Sequence, residues 1–462
     1  MNIPMHSLAI ILLTVAIVTG IGVYMAKSVH SVEGYTLSGR NSGVSLVAGT
    51  IAGTCIGGGA TVGTAQLAAA IGLSAWWFTL GVGISLIIMA VFYARPLRSA
   101  SLETISQYLV INYGNAAGTF ASIASSLGIF FSAVASCLPG IQILSALFGI
   151  SSRLSALLLL ILVAVYGFFG GMKSAGIGGI LKMAIIWFSL LVAGISSYHS
   201  MHASPELFTA LPDFPWFSLF GIGRQKVLEN LLSLIVGVIC TQTYIQAVFS
   251  ASSPKTAAVG ALAAALIVIP VGLPCVMIGM YMHALHPEVP PILVLPVYLL
   301  QHQPVLIGSI AVGGILLSLI SSIAGLSLGV GTMLSRDLFS RFFTNNEPAT
   351  ELLRTRIVVL CVVVLAAVVA ILNEGSQVLF WNYMSMALRG GGLFLPLTLA
   401  VFYPRAITPR WAVLSMIIST SAAVTASVWR TSVPPLFLGL AASFLLLLPD
   451  WFYKIRILVK NT

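Results

Sequence analysis

The stretch from Leu46 to Leu73 is long enough to cross a bilayer, carries no charged residue, and holds three consecutive glycines, Gly57, Gly58 and Gly59, near its middle. Within hydrocarbon every backbone N–H and C=O must find a partner inside the protein, so such a stretch has to be helical. Glycine is a poor helix former, about 1 kcal/mol worse than alanine per residue. Three in a row at mid-depth predict a break. Broken helices persist in membranes where the freed backbone lines a cavity, with bare carbonyls for a cation and bare amides for an anion. A second reading of the same residues is a close helix crossing, since small side chains let backbones touch.

The rest of the chain sets the class. Of 462 residues, 58% are hydrophobic and 7% charged, against roughly 25% charged in soluble domains. We therefore expect an all-α polytopic membrane protein with no room for a separate soluble domain. Taking ~20 apolar residues as one crossing, about 13 spans are predicted, near 7–26, 44–71, 74–94, 115–146, 154–170, 176–198, 226–249, 257–283, 304–333, 355–373, 376–403, 409–429 and 433–453. The first reads as a retained helix because no small-residue cleavage site follows it. With the N-terminus outside, 15 basic residues fall on the inner side, from Lys27 and Arg40 to Arg456 and Lys460. Only Arg153, Arg224, Lys226 and Arg430 fall on the outer side. Cytoplasmic loops gather Lys and Arg, so this bias predicts a cytoplasmic C-terminus in the cell's inner (plasma) membrane. It also accounts for the net charge of +10 without nucleic acid. Five cysteines, Cys55, Cys137, Cys240, Cys275 and Cys361, sit in apolar stretches with no CxxC spacing, which points to buried structural roles. His283 and His286 lack further ligands and read as solvated.

A second segment carries hydroxyls. In Ser318-Leu-Ile-Ser321-Ser322 the residues three apart share a helix face, with Ser322 beside them. If the carbonyls of Gly53 and Ile56 at the broken helix face these serines, neutral oxygens surround one monovalent ion. Sodium suits that shell, whereas a divalent ion would want carboxylates. The plainer reading is that each hydroxyl bonds its own i−4 carbonyl.

The stretch from Ser321-Ser322 to Asp337-Leu338-Phe339 resembles the signature helix of the sodium:solute symporter family. Other marks occur in the family's order: Tyr35 to Arg40; Ser101 to Tyr108 with Tyr113-Gly114; Tyr166 to Lys173; and Gln242 to Gln246 with Ser250 to Lys255. The resemblance covers about residues 30 to 345. It implies a LeuT-like core of ten helices in a five-plus-five inverted repeat at 43–403, an extra N-terminal helix and loop at 1–42, and two further helices and a tail at 404–462, all one transporter domain. It implies a sodium site at the carbonyls of Gly53, Ile56 and Ser318 and the hydroxyls of Ser321 and Ser322. Solute contacts are expected at Gly57, Ala60, Thr61, Thr241 and Gln242, with Gly57 to Gly59 leaving a roomy pocket and Thr54, Gln66 and Gln246 as further polar candidates.

The chain departs from the family pattern in three places. Gly179 stands where an acid often assists sodium, and Lys182 where a glutamine is common. Ala324 and Gly325 lack the side-chain oxygens of a second sodium site, so one ion is expected. Ala247 replaces a common arginine.

Two basic residues fall within spans, and an intramembrane charge is a functional candidate. Lys182 has two open readings. Its amine reaches the cation site and replaces sodium, making transport proton-linked. Otherwise it snorkels to the inner interface, ~13 Å along the helix from Lys173. Arg389 lies mid-span in Met386-Ala-Leu-Arg-Gly-Gly-Gly with no acid at its depth. It either meets a carboxylate or other anion on the solute, which its fork matches, or caps carbonyls at a helix break made by Gly390 to Gly392. The expected function is a sodium-coupled importer of a small organic solute, anionic or zwitterionic, working by alternating access. The alternatives are a proton-coupled symporter using Lys182 and, more remotely, a channel-like or sensor protein. No acid–base cluster at mid-depth suggests an enzyme, and no obligatory protein partner is evident beside the solute and the lipid bilayer.

Overall fold

A computed structural model describes residues 4–26, 32–203, 210–339, 348–429, 431 and 433–461. We number the long helices α1 (Met5–Ala26), α2 (Val44–Cys55), α3 (Thr64–Ile71), α4 (Trp77–Ile88), α5 (Asn115–Phe148), α6 (Ser152–Ala203), α7 (Arg224–Ile239), α8 (Gln242–Ser250), α9 (Pro254–Leu285), α10 (Val305–Met333), α11 (Pro348–Leu372), α12 (Val378–Phe402), α13 (Pro409–Trp429) and α14 (Pro435–Asn461). Lys27, Arg341 and Arg430, used in the charge count, lie outside the described residues, as do the side chains of Lys173, Lys454, Arg456 and Lys460.

Among the described residues eight helices are long and apolar enough to cross a membrane, or nine if the bent pair α7 and α8 is one span. The expected 13 spans are not resolved one for one, for physical reasons. The stretch 44–71 is split at the glycines into α2, a π-helical turn at Gly59–Gly63, and α3. The predicted spans 154–170 and 176–198 form one 52-residue helical run, α6, which is too long for a single crossing at 1.5 Å per residue. Large apolar side chains such as Leu13, Phe188, Leu365 and Leu372 point outward, as a lipid-facing surface requires.

The first break falls beside the glycine triplet, where the sequence predicts one, whereas the second lies inside a span, 226–249, read as continuous. After α2, Ile56 leaves helical geometry (φ −81°, ψ 77°), and the chain resumes through a Gly63 N–H to Gly58 carbonyl bond of 2.7 Å. A second break separates α7 from α8 at Cys240 and Thr241, with a bend of 46°. Two interrupted spans, one in each half of the chain, are the mark of an inverted-repeat transporter core.

Small residues set the closest crossings. A Cβ on Gly179 would come within 2.2 Å of the Gly49 carbonyl oxygen, and one on Gly176 within 2.7 Å of Thr50 Oγ1. These glycines draw α6 tightly against α2, while α10 packs on α6, α5 and α2.

At one end of the bundle, polar ties close the structure. Arg336 bridges Glu103 (3.0 Å) and Glu351 (2.8 Å). The neighbouring Asp337 accepts hydrogen bonds from Thr104 Oγ1 (3.1 Å) and Ser122 Oγ (2.8 Å). At the opposite end a cavity of about 450 Å³ lies between α3, α7, α12 and α14, lined by Leu67, Lys226, Asn230, Gln377 and Tyr383 among others.

A buried cation shell and a guanidinium beside the central cavity

The broken span exposes the carbonyls of Gly53, Thr54 and Ile56, and α10 presents its serines to them. Ser318 Oγ donates to the Ile56 carbonyl. Ser322 Oγ donates to the carbonyl of Thr54 (2.8 Å) and, more weakly, to that of Gly53 (3.4 Å). Ser321 Oγ reaches its own i−3 carbonyl at Ser318 (3.2 Å). So the hydroxyls do bond backbone, but mostly across the gap rather than along their own helix.

Lys182 stands inside this shell. The close approach of Gly176 and Gly179 to α2 carries the next turn of α6 to the break, and the lysine side chain is buried (1% exposed). Its Nζ donates to the Gly53 carbonyl and to Ser321 Oγ, and lies 3.4 Å from the Ile56 carbonyl and 3.3 Å from that of Ser318. Four of the five residues expected around sodium thus meet the ammonium, and Ser322 turns to Thr54 instead. The snorkelling alternative is not the conformation found. No carboxylate is among the partners of Nζ, and among the described residues no group of three His, Cys, Asp or Glu side chains is placed to hold a metal ion. The oxygens of the shell are neutral, and Nζ is the titratable atom they meet.

A sodium ion would need the same oxygens, and with the lysine in place it does not fit. Gly53 O and Ser321 Oγ are already taken by hydrogen bonds. A protonated Nζ 4 Å away would also repel the ion by about 4 kcal/mol at an effective dielectric of 20.

Beside the shell a small cavity is lined by Cys55, Gly57, Gly59, Phe78, Ser132, Tyr244, Asn382 and Arg389, among others. Arg389 is 1% exposed. Its Nε donates to the Gly237 carbonyl (3.0 Å), and Nη1 to Ser385 Oγ (2.8 Å) and Ser132 Oγ (3.3 Å). The two serines share a hydrogen bond of 2.7 Å. Nη2 makes no hydrogen bond among the described residues, and no ion pair forms at Arg389. Both sequence readings of this residue have a counterpart. It does cap a carbonyl, but at the second broken span rather than at Gly390 to Gly392, through which α12 runs unbroken.

The glycine triplet leaves less room than expected. A Cβ on Gly57 would meet Ser322 Oγ at 2.4 Å, on Gly58 the Ala135 carbonyl at 2.9 Å, and on Gly59 Asn382 Nδ2 at 2.7 Å. Neighbouring side chains and backbone already fill the space. Ala60, Thr61 and Thr241 are buried off the cavity wall. Thr61 Oγ1 bonds the Gly57 carbonyl (2.9 Å) and Thr241 Oγ1 that of Gly237 (2.8 Å). Gln242 is tied to the Ile105 N–H and the Glu103 carbonyl (both 2.9 Å), and Gln246 to the Thr36 carbonyl (2.7 Å). Gln66 accepts from the Val378 N–H (3.0 Å). Phe78, Tyr244, Ser132 and Asn382 were not anticipated, because single aromatics and serines in apolar runs carry no local signal. Phe78 and Tyr383 meet edge to face (centroids 6.0 Å apart) between this cavity and the larger one.

The comparisons with known proteins agree with this architecture. A Na+-coupled sialic acid symporter, solved in a substrate-bound outward-open state, superposes with a TM-score of 0.84 over 98% of both chains at 15% identity. A nucleobase-cation-symport-1 family transporter superposes at 0.59, with 12% identity over 92% of this chain and 95% of that one. These likenesses establish the LeuT-like fold. Curated relatives include the high affinity choline transporter 1 of Homo sapiens, 24% identical over 69% of this chain and 58% of the relative. The Torpedo marmorata protein is 27% identical over 54% of this chain and 43% of its own length. The chain thus spans about 58–62% of the length of the first mammalian relatives it matches. These relatives are transporters, not enzymes. A family model described as the sodium:solute symporter family matches residues 35–419, and the chain belongs to that family.

Proposed function

We propose that this protein is a secondary active importer of a small organic solute bearing a carboxylate, an anion or a zwitterion, working by alternating access in the cell's plasma membrane with the N-terminus outside. The observation that carries the reading is Arg389, a fully buried guanidinium with no carboxylate partner and an unused Nη2 beside a central cavity. A buried unpaired charge is costly, and a solute carboxylate would relieve that cost through a charge-assisted hydrogen bond. Choline itself carries a fixed positive charge. Arg389 argues against a bare cation at this position and for a solute with at least one negative group.

The larger cavity provides the route in. With the basic end of the bundle on the cytoplasmic side, it opens outward. A solute would pass the Phe78–Tyr383 pair to reach Arg389. Release inward requires the Arg336–Glu103–Glu351 ties to part.

Family membership and the Na+-coupled structural relative support sodium as the coupling ion. The geometry of this chain favours a second reading, in which coupling runs through a proton on Lys182 Nζ. The shell's carbonyls and Ser321 hold the amine in its charged form. When α2 and α10 separate, those partners are lost and Nζ gives its proton to the inner solution. Ion and solute then favour the same closed arrangement, as coupling requires.

Proteoliposomes test both parts. A panel of carboxylates, zwitterions and choline is offered under an imposed proton gradient, a sodium gradient, or neither. Accumulation of a carboxylate solute under the proton gradient without sodium is expected. Uptake of choline alone would overturn the solute assignment. Strict sodium dependence in the wild type would restore sodium as the coupling ion.

A further inference from the structure

The mismatch between the family's coupling ion and the residues of this chain has a structural meaning of its own. The backbone at the first break and the serines of α10 still form a monovalent-cation shell, yet the occupant is covalently attached. We propose that Lys182 is a tethered substitute for sodium, and that the shell beneath it is a latent sodium site which removal of the amine would uncover. This deepens the coupling reading above and rests on it only for its role in transport. The occupancy claim stands on geometry alone.

Three observations support it. First, the oxygens around Nζ come from three separate places: the end of α2 (Gly53), the break itself (Ile56) and the middle of α10 (Ser318, Ser321). A snorkelling lysine would leave them; this one joins elements that have to stay together in a closed transporter. Second, the lysine is placed by fixed packing. Gly179 admits no side chain against the Gly49 carbonyl, so an acid cannot stand there without moving α6, and the position one turn on is pressed into the shell. The missing acid and the added lysine are therefore one exchange. An anion that would assist a free cation is gone, and a cation that needs no assistance is present. Third, the remaining ligands are intact. Ser322 braces the Thr54 and Gly53 carbonyls, and Ser318 braces Ile56. These bonds do not involve Nζ and keep the broken backbone in place after the amine is removed. Truncating Lys182 would leave four oxygens around a buried hole of ammonium size, three of them still holding a serine hydrogen bond but each having lost the Nζ that filled the hole. Such groups demand a partner, and sodium is the abundant cation that takes neutral oxygens.

The experiment uses the purified full chain in detergent or nanodiscs, with solute absent. Its melting temperature is followed as sodium chloride replaces potassium chloride at constant ionic strength. For the wild type no sodium-specific shift is expected. For Lys182→Ala we expect a saturable rise in melting temperature with sodium, which Ser321→Ala added to it removes. Should Lys182→Ala fail to fold, Lys182→Met keeps the apolar stem, and sodium-dependent protection of Cys55 from a small thiol reagent gives a second readout on the same cavity. A sodium response in the wild type equal to that of the variants would overturn the proposal, as would folded variants that ignore sodium. Either result leaves solute import standing. An absence of solute uptake under every gradient would instead remove the importer reading and leave the occupancy result untouched.

Discussion

Among the described residues two basic side chains are buried, one at each interrupted span, and they are held in opposite ways. Lys182 meets four oxygens, three of them carbonyls at or facing the first break, and lies wholly within the shell. Arg389 uses Nε and Nη1 to grip the second break and two serines, lines a cavity, and makes no hydrogen bond through Nη2 among the described residues. A compact ammonium at the centre of a shell is saturated by the protein. A planar fork can bind protein with one edge and something else with the other. The comparison teaches that burial alone does not mark a charge for ligand binding; the proposal for Arg389 rests on its unused donor.

The sharpest way to break this contrast is to remove each charge and measure solute binding in the same assay. Arg389→Ala should weaken binding of the carboxylate solute about 100-fold, which is about 2.7 kcal/mol. Arg389→Lys should recover little, because an ammonium cannot fork. Lys182→Ala should leave the solute dissociation constant within about threefold, while abolishing accumulation driven by a proton gradient. Isothermal titration and proteoliposome uptake read the two effects separately. If both variants lose solute binding alike, the division of labour is wrong.

Packing at the first break offers a second test. Gly179→Ala puts a methyl against the Gly49 backbone carbonyl, which cannot yield without moving α2 from α6. Overpacking of this kind costs about 1–3 kcal/mol. We expect a lowered melting temperature and, because Lys182 is pulled from its carbonyls, a partial sodium response like that of the lysine truncation. Gly20→Ala, where a Cβ meets nothing within 4 Å, is the matched control and should change neither.

How much of this could be read from the chain depended on whether the cause was local. The break at Gly57 to Gly59 and the shared face of Ser318 and Ser321 are short-range properties, and Gly53, Ile56, Ser318 and Ser321 do come together. The outcome for Lys182 was not local. Its distance along α6 allowed either snorkelling or entry into the shell, and the choice is made by Gly176 and Gly179 meeting Gly49 across two helices. Thr241 and Gln242 were expected at the solute, but the bend at the second break turns Gln242 to the Glu103–Ile105 backbone. The wall of the cavity, Phe78, Tyr244, Ser132 and Asn382, is assembled from four distant helices and had no pattern to announce it.

A third test addresses the support of Arg389. Ser132 and Ser385 each bond the guanidinium and each other. A hydrogen bond to a charged group contributes roughly 1.5–3 kcal/mol, but the pair is redundant, and losing one serine leaves the other and the Gly237 carbonyl. Ser132→Ala should therefore weaken solute binding by five- to tenfold, about 1 kcal/mol, with no change in the response to sodium or protons. An effect on the ion response instead would show that the two cations are linked through the cavity.

The smallest effect is expected where neither cation is touched. Arg336 sits partly exposed between Glu103 and Glu351, and pairs of that kind contribute about 0–1 kcal/mol each. Glu103→Gln removes one carboxylate that pairs with the arginine while keeping its backbone carbonyl, which holds Gln242, in place. The closed end, cytoplasmic in the proposed orientation, should loosen by less than 1 kcal/mol, which is enough to raise the inward-facing population severalfold but not to invert it. Solute affinity measured from outside should fall by the fraction of molecules that have left the outward-facing form, and the affinity of that form itself should not change. Labelling of a cysteine introduced on the cytoplasmic side reports the population directly. If Glu103→Gln matched the loss seen for Arg389→Ala, the guanidinium would be acting through conformational balance rather than through contact with the solute, and the distinction between the two buried cations would have to be redrawn.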